Sequence, residues 1–442
     1  MFEKFSEKQR YQWIIGIFFI IFVISFKGGN TLYTKGIAGT ILLSIIMSVS
    51  SNIFMFMMYP VSLIFQFVLP TELPGVPIAL PTIIMLGCLY FMITEKLNNK
   101  KKYPIDYCAS LTYAMILLLF ILTAIHGLPI SFKNYRLMHF LESGILFFII
   151  SRRINSEKRL KVMSWILVFL SLAISVKLFS YTTLFEQAFF GFENNNLSRQ
   201  LSFIIPFMLG LFWAEKNNIL KSLIIITMAF TAQSLIQLGS RATYISLFIA
   251  LSLMSLRNIK KRSIWLFGIL GVILLIVSAS DVIIEEFDSI FEQGFKGENS
   301  EEASISGRYW ALRQGFGLFM DSPIFGHGPG YFERAMYHKT GVGMNAHNSY
   351  IEIMASWGIS GILIYLSMFY FSLVNLWKAQ KKLIKNKYVY NVAQGCFFGI
   401  VAIMINQFMI NGPWEPMVWL GFGLSSALYY LSFNKDITKE IN

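Results

Sequence analysis

Residues 107–126 read YCASLTYAMILLLFILTAIH, twenty positions without a single Asp, Glu, Lys or Arg. A stretch of about 20 apolar residues is what an α-helix needs to cross the hydrocarbon core of a bilayer. Runs of the same character stand on either side of it, near 11–25, 36–50, 52–69, 77–94, 138–151, 162–182, 199–214, 219–238, 241–256, 263–280, 350–376, 389–411 and 415–432. With the first, they make fourteen candidate helices. Several are short for a straight span, so twelve spans also fits. The fold class expected is an all-α polytopic membrane protein with about 12–14 transmembrane helices. The run at 11–25 follows Lys4, Lys8 and Arg10 but precedes a polar turn, and is read as a retained first span.

Composition agrees. Of 442 residues, 55% are hydrophobic and only 14% charged, against about 25% charged in a soluble domain. That much apolar surface cannot be hidden in one water-soluble core, which sets aside soluble enzymes and nucleic-acid binders. The net charge of +13 is explained by topology. With both termini cytoplasmic, 25 of the 37 Lys and Arg fall on the inside, as the positive-inside rule demands. Cys88, Cys108 and Cys396 lie in or beside apolar runs with no paired spacing and read as isolated buried thiols.

One outer segment differs from the rest. Asp281 to Ala346 holds ten acids and five Lys or Arg and is long enough to be a small domain. The chain therefore divides into 1–280 with about eleven spans, an extracytoplasmic loop domain at 281–346, and C-terminal spans in 347–442. Within the loop, Tyr309, Leu312, Phe316 and Phe319 have helical spacing, and Pro323, Gly326, Gly328, Pro329 and Gly330 then break the helix. The Gly326-x-Gly328-x-Gly330 pattern imitates a phosphate loop, but with no strand before it a turn is the better reading.

The spans are poor in ionisable groups, which weakens a transporter or flippase reading. Cations gather instead toward the outer face: Arg199, Arg241, Arg308 and Arg313, with His347. Arginine suits a diphosphate because its planar fork gives two charge-assisted hydrogen bonds and keeps its proton. Arg241 either points into an outward cavity or rests its charge at the interface, and Arg308 is either a ligand or a surface residue. His347 is either a neutral general base or a residue near a helix cap. His126 and His139 are expected to be structural. Glu286 and Asp288 have the spacing of a metal-binding pair but open an acidic, solvated stretch, and the first outer loop, Phe26 to Lys35, has no acid. No metal and no cofactor is expected.

His347-Asn348, nine residues, Gly358, two residues, Gly361 fits the H-[NSQ]-x9-G-x-x-[GTY] signature, and the sequence thereby resembles the bacterial O-antigen ligase and Wzy-type polysaccharide polymerase superfamily. Gly239-Ser240-Arg241, Ser306-Gly307-Arg308-Tyr309-Trp310 and Ser322-Pro323-Ile324-Phe325-Gly326-His327-Gly328 are similar to further motifs of that family, as is Asn194-Asn195-Asn196-Leu197 more weakly. Trp310 stands closer to Arg308 than is usual there. The resemblance covers roughly residues 190–375 and implies a GT-C-like fold in the bacterial cytoplasmic (inner) membrane, with the site on the extracytoplasmic face.

It further implies metal-independent transfer of a glycan from an undecaprenyl-diphosphate donor to an acceptor hydroxyl. His347 would be the base, and Arg241 and Arg308 would hold the leaving diphosphate. Arg313, Arg199, Asn348, Trp310 and Tyr350 complete the expected substrate-binding set, with Trp310 and Phe316 covering the sugar. The acceptor is a lipid-linked glycan for a polymerase or lipid A-core for a ligase, and the polymerase is preferred. A chain-length regulator and the lipid bilayer are the other expected partners; nucleic acid is not.

Overall fold

The computed structural model describes residues 105–128, 135–179, 194–258 and 300–433. The runs at 11–25, 36–50, 52–69, 77–94 and 263–280 lie outside the described residues, as do Cys88, Glu286 and Asp288. Eleven helices are described: α1 Tyr107–Ile125, α2 Tyr135–Arg153, α3 Glu157–Phe179, α4 Asn194–Ala214, α5 Asn218–Leu238, α6 Arg241–Arg257, α7 Ser300–Asp321, α8 Phe332–Thr340, α9 Ser349–Lys382, α10 Lys387–Asn406 and α11 Pro416–Leu431. Among the described residues there is no strand. Helices within α1, α3, α4, α5, α9 and α10 are long and apolar enough to cross a membrane, and Ala242–Arg257 is a shorter apolar helix. The protein is an all-α polytopic membrane protein.

Helices α4 and α10 pack closely together and are buried along most of their length. Their approach depends on small residues. A Cβ on Gly210 would lie 2.5 Å from the Asn391 carbonyl oxygen, and Cβ atoms on Gly395 and Gly399 would lie 2.9 Å from the Phe207 and Phe203 carbonyls. Small residues at such spacing let helix backbones pack closely in a membrane, where lipid is as apolar as the side chains and contact area must supply the attraction. Helix α9 packs against α1, α10 and α11, α11 against α2, and α5 against α3 and α4.

The helices run alternately up and down, and polar contacts mark the two ends. At one end Asn375 donates to Asp106 (2.8 Å), Arg257 to Gln380 (2.7 Å) and Asn386 to Glu157 (2.8 Å). At the other, Thr243 donates to Ser198 (3.1 Å), Asn406 to Thr243 (3.0 Å) and Asn348 to the Phe408 carbonyl (2.9 Å). The first end carries the basic Arg152, Arg153, Arg257, Lys381 and Lys382, and it is the end that the charge count assigns to the cytoplasm.

Helix α7 forms where the loop spacing predicts one, but its buried face is different. Tyr309 and Phe316 are 69% and 48% exposed, while Ala311, Gly315 and Leu318 are buried. The small residues decide this. Gly315 sits so close to α8 and α9 that a Cβ there would lie 2.6 Å from Ile351 and 3.1 Å from Phe332, so the helix turns this glycine inward and Tyr309 and Phe316 outward. Cys108 and Cys396 are buried free thiols, as expected. His139 pairs with Glu142 (3.2 Å), and His126 lies 3.4 Å from the Phe325 carbonyl.

Candidate active site

The segment leading into α9 is held from several sides. His347 has φ +48, the one non-glycine residue with positive φ among the described residues. Such a conformation costs an ordinary side chain about 1–2 kcal/mol and persists only where neighbouring contacts fix it. Those contacts come from residues 404–411. The Asn348 N–H donates to the Asn411 side-chain oxygen (2.8 Å), the Ser349 N–H to the Gln407 carbonyl (2.9 Å), the Ser349 hydroxyl to the Ile410 carbonyl (2.7 Å) and the Tyr350 hydroxyl to the Met404 carbonyl (2.7 Å). The Asn348 side chain caps α9, accepting from the Tyr350 and Ile351 N–H groups at 3.0 Å each. Asn348 and Tyr350 are both buried and spend their polar atoms on this scaffold.

His347 itself is half-buried. Burial holds its imidazole below the ordinary histidine range, and the Arg308 guanidinium lowers it further. Both effects favour the neutral ring, the state a general base requires. Arg308 lies in the first half of α7 and is exposed. Arg313 is exposed on the same helix, and Trp310 is half-buried against Phe332, Met336, Ala346 and Ala355.

Arg241 opens α6, directly after Gly239 (φ +60) ends α5 and Ser240 begins the next helix. Its side chain lies outside the described residues. The corner is fixed by the Tyr244 hydroxyl, which donates to the Leu235 carbonyl (2.9 Å), and by Thr243 with its contacts to Ser198 of α4 and Asn406 of α10. This corner and the His347 segment therefore lie at the same end of the bundle.

Arg199 is placed differently from an outward-facing ligand. It is 0% exposed, its Nη2 stands 3.2 Å from Glu415, which is 4% exposed, and its Nη1 donates to the Asn411 carbonyl. Glu415, Asn411 and Gly412 escaped the reading of the sequence as site residues. Nothing local in the sequence pairs Glu415 with an arginine on a distant helix.

Ser322–Gly328 forms a turn that enters a break in α9. Gly358 has φ +67 and ψ −164, so the helix is interrupted there. The carbonyls and N–H freed by the interruption are taken up by the turn: His327 N–H donates to Ala355 (2.9 Å), Gly328 N–H to Ser356 (2.9 Å), and Ile359 N–H to the Pro323 carbonyl (2.8 Å). The break itself was not foreseen, because the sequence shows one continuous apolar run. Between α7 and α8 lies a cavity of about 430 Å³, lined by Asp321, His327, Tyr331, Arg334, His338 and Lys339 among others. Lys339 pairs with Asp321, and the Arg334 guanidinium lies 5.6 Å from the Tyr331 ring centre. Arg334 and Lys339 both reach this cavity from α8.

Residues 223–366 match the family model described as O-antigen ligase, an interval that takes in Arg241, Arg308, the Ser322–Gly328 turn and His347 through Gly361. The chain is also 23% identical over 226 residues to the teichuronic acid biosynthesis protein TuaE of Bacillus subtilis (strain 168). That match covers 49% of this chain and 46% of TuaE, so the chain spans about half the length of the curated relative it matches. Residues 223–366 are thus similar to the O-antigen ligase family domain, in a chain of apolar membrane helices.

Proposed function

We propose that the protein is a surface-polysaccharide polymerase. It transfers a glycan from an undecaprenyl-diphosphate carrier to the hydroxyl of a second lipid-linked glycan, on the extracytoplasmic face of a bacterial cytoplasmic membrane. The observation that carries this reading is His347: a neutral imidazole in a constrained backbone, with an arginine acting on it, at one end of a helical bundle. The match of residues 223–366 to the O-antigen ligase family model supports membrane glycan transfer in general.

In the mechanism His347 takes the proton of the acceptor hydroxyl as its oxygen attacks the anomeric carbon of the donor sugar. The bond from that carbon to the diphosphate oxygen breaks, and the electron pair leaves with undecaprenyl diphosphate. Displacement from the opposite face inverts the anomeric centre. Arg308 and Arg241 neutralise the departing diphosphate, a role in which fixed guanidiniums beside a low-dielectric membrane are effective without a metal. The cavity beside Tyr331 and Arg334 is suited to an acceptor chain, with an aromatic ring and hydrogen-bond donors for sugar.

The ligase is the second reading, favoured by the description of the family model. The curated relative is named for teichuronic acid biosynthesis, which is compatible with the polymerase. A deletion strain separates them. Loss of a polymerase leaves acceptor capped with a single repeat unit and no long chains, and is the expected result. Bare acceptor with long chains retained on the lipid carrier would make the protein the ligase. A chain-length regulator is the expected protein partner of the polymerase.

A further inference from the structure

We infer that the buried Arg199–Glu415 ion pair is a positioning device for His347, acting through Asn411, rather than a ligand for the substrate. This rests on the reading of His347 as the base. The connection is continuous. Arg199 pairs with Glu415 (Nη2 to Oε1, 3.2 Å) and donates from Nη1 to the backbone carbonyl of Asn411, and the side-chain oxygen of Asn411 accepts the N–H of Asn348 at 2.8 Å. That N–H belongs to the peptide joining His347 to Asn348, so Asn411 grips the backbone on the C-terminal side of the imidazole while φ at His347 stands at +48.

The loop is closed tightly around the pair. Gly412 has φ +123, and a Cβ there would lie 2.6 Å from Arg199 Nη2 and 2.8 Å from Glu415 Cγ. Gln200, next to Arg199 on α4, lies 3.4 Å from the other Glu415 oxygen. Beyond the pair the loop is pinned again: Ser143 donates to the Trp414 carbonyl and the Trp419 indole to the Pro413 carbonyl (2.9 Å). The pair thus ties the 411–415 loop to α4, a helix buried along most of its length.

Stability is a poor reason for such a pair. Desolvating both charges costs as much as their attraction returns, and apolar residues of similar size commonly hold the same space as well. What apolar residues cannot do is donate a directed hydrogen bond to the Asn411 carbonyl. The pair accordingly sets a geometry, and the geometry it reaches is that of the one non-glycine residue with positive φ among the described residues.

The test uses full-length protein in liposomes with a synthetic polyprenyl-diphosphate glycan as donor. The variants are Asn411→Ala, which leaves the ion pair in place, and the double variant Arg199→Met/Glu415→Met. Transfer kinetics are measured together with the rate at which diethyl pyrocarbonate acylates His347, read by mass spectrometry. Both variants are expected to lose at least tenfold in kcat with KM within twofold, and to show a severalfold change in His347 acylation, while the double variant melts within a few degrees of the native protein. A merely structural pair predicts recovery of kcat along with folding in the double variant. Asn411→Ala alone decides the matter if the double variant does not fold: kcat and acylation both within twofold of native overturn the proposal. His347→Ala runs beside it, and if that variant also transfers normally, the assignment of the base has failed rather than its positioning.

Discussion

Gly326 and Gly358 each press against the backbone of the other's segment across the break in α9. A Cβ on Gly326 would fall 2.3 Å from the Ser356 carbonyl carbon, and one on Gly358 would fall 2.2 Å from the Ile324 carbonyl oxygen. The turn after α7 and the helix after His347 are therefore one interlocked unit, and the loop helix that carries Arg308 is registered against the helix that follows His347.

Gly358→Ala should disrupt that unit. Its φ of +67 with ψ −164 is open to glycine alone, and the new methyl would overlap backbone that cannot retreat. The expected loss is about 3 kcal/mol or more. Gly341 also has positive φ (+75) but has nothing within 4 Å of its Cβ direction, so Gly341→Ala should cost only about 1 kcal/mol. Thermal melting in detergent compares the two, and equal losses would show that the interlock contributes nothing.

The pH profile of transfer should carry an acid limb from His347. The neutral ring is the active form, so activity is full above its pKa and falls as pH drops through it. Burial and Arg308 both hold that pKa under the ordinary value, which is about 6.5. Arg308→Gln removes the second cause and leaves the first, so the limb should move up toward the ordinary value without passing it. The position of the limb in kcat/KM, not its height, is the readout, since Arg308 is also assigned to the diphosphate. A limb that stays put would separate the two residues.

Arg308→Lys and Arg241→Lys should each remain well below native transfer, since an ammonium lacks the two-pronged geometry of guanidinium. Alanine at either position should cost on the order of 100-fold in rate. His338→Ala, at an exposed position in α8, should transfer within a few-fold of native. Rates in membranes normalised to protein level test all five substitutions in one series, and full rescue by lysine would reduce the arginines to point charges.

Orientation can be checked with reporter fusions. Alkaline phosphatase joined at position 300 should be active and the same reporter after the C-terminus inactive. The opposite pattern would put the His347 end of the bundle in the cytoplasm, away from any extracytoplasmic acceptor.

Much of the helical layout was legible because a membrane span declares itself in composition: the apolar runs at 107–126, 219–238 and 389–411 fall on α1, α5 and α10. The signature from His347 to Gly361 was equally plain. What hid was everything that depends on contact between distant segments. The break at Gly358 is a property of the turn that enters it, and the inward side of α7 is chosen by Gly315, which a search for apolar spacing passes over. Arg199 looked like its neighbours in a list of outer cations until Glu415 and Asn411 surrounded it. Charge on a sequence is local, whereas the partner that decides its role is not.

The central claim is that His347 is the base of a metal-independent glycan transfer. Native protein and His347→Ala, each purified into liposomes, should be given a polyprenyl-diphosphate glycan donor and acceptor in excess EDTA, with elongated product measured over time. The account predicts extension by the native protein in EDTA and a rate at least about 100-fold lower for His347→Ala. Extension by His347→Ala at the native rate, or native activity that disappears with EDTA and returns with magnesium, would contradict it.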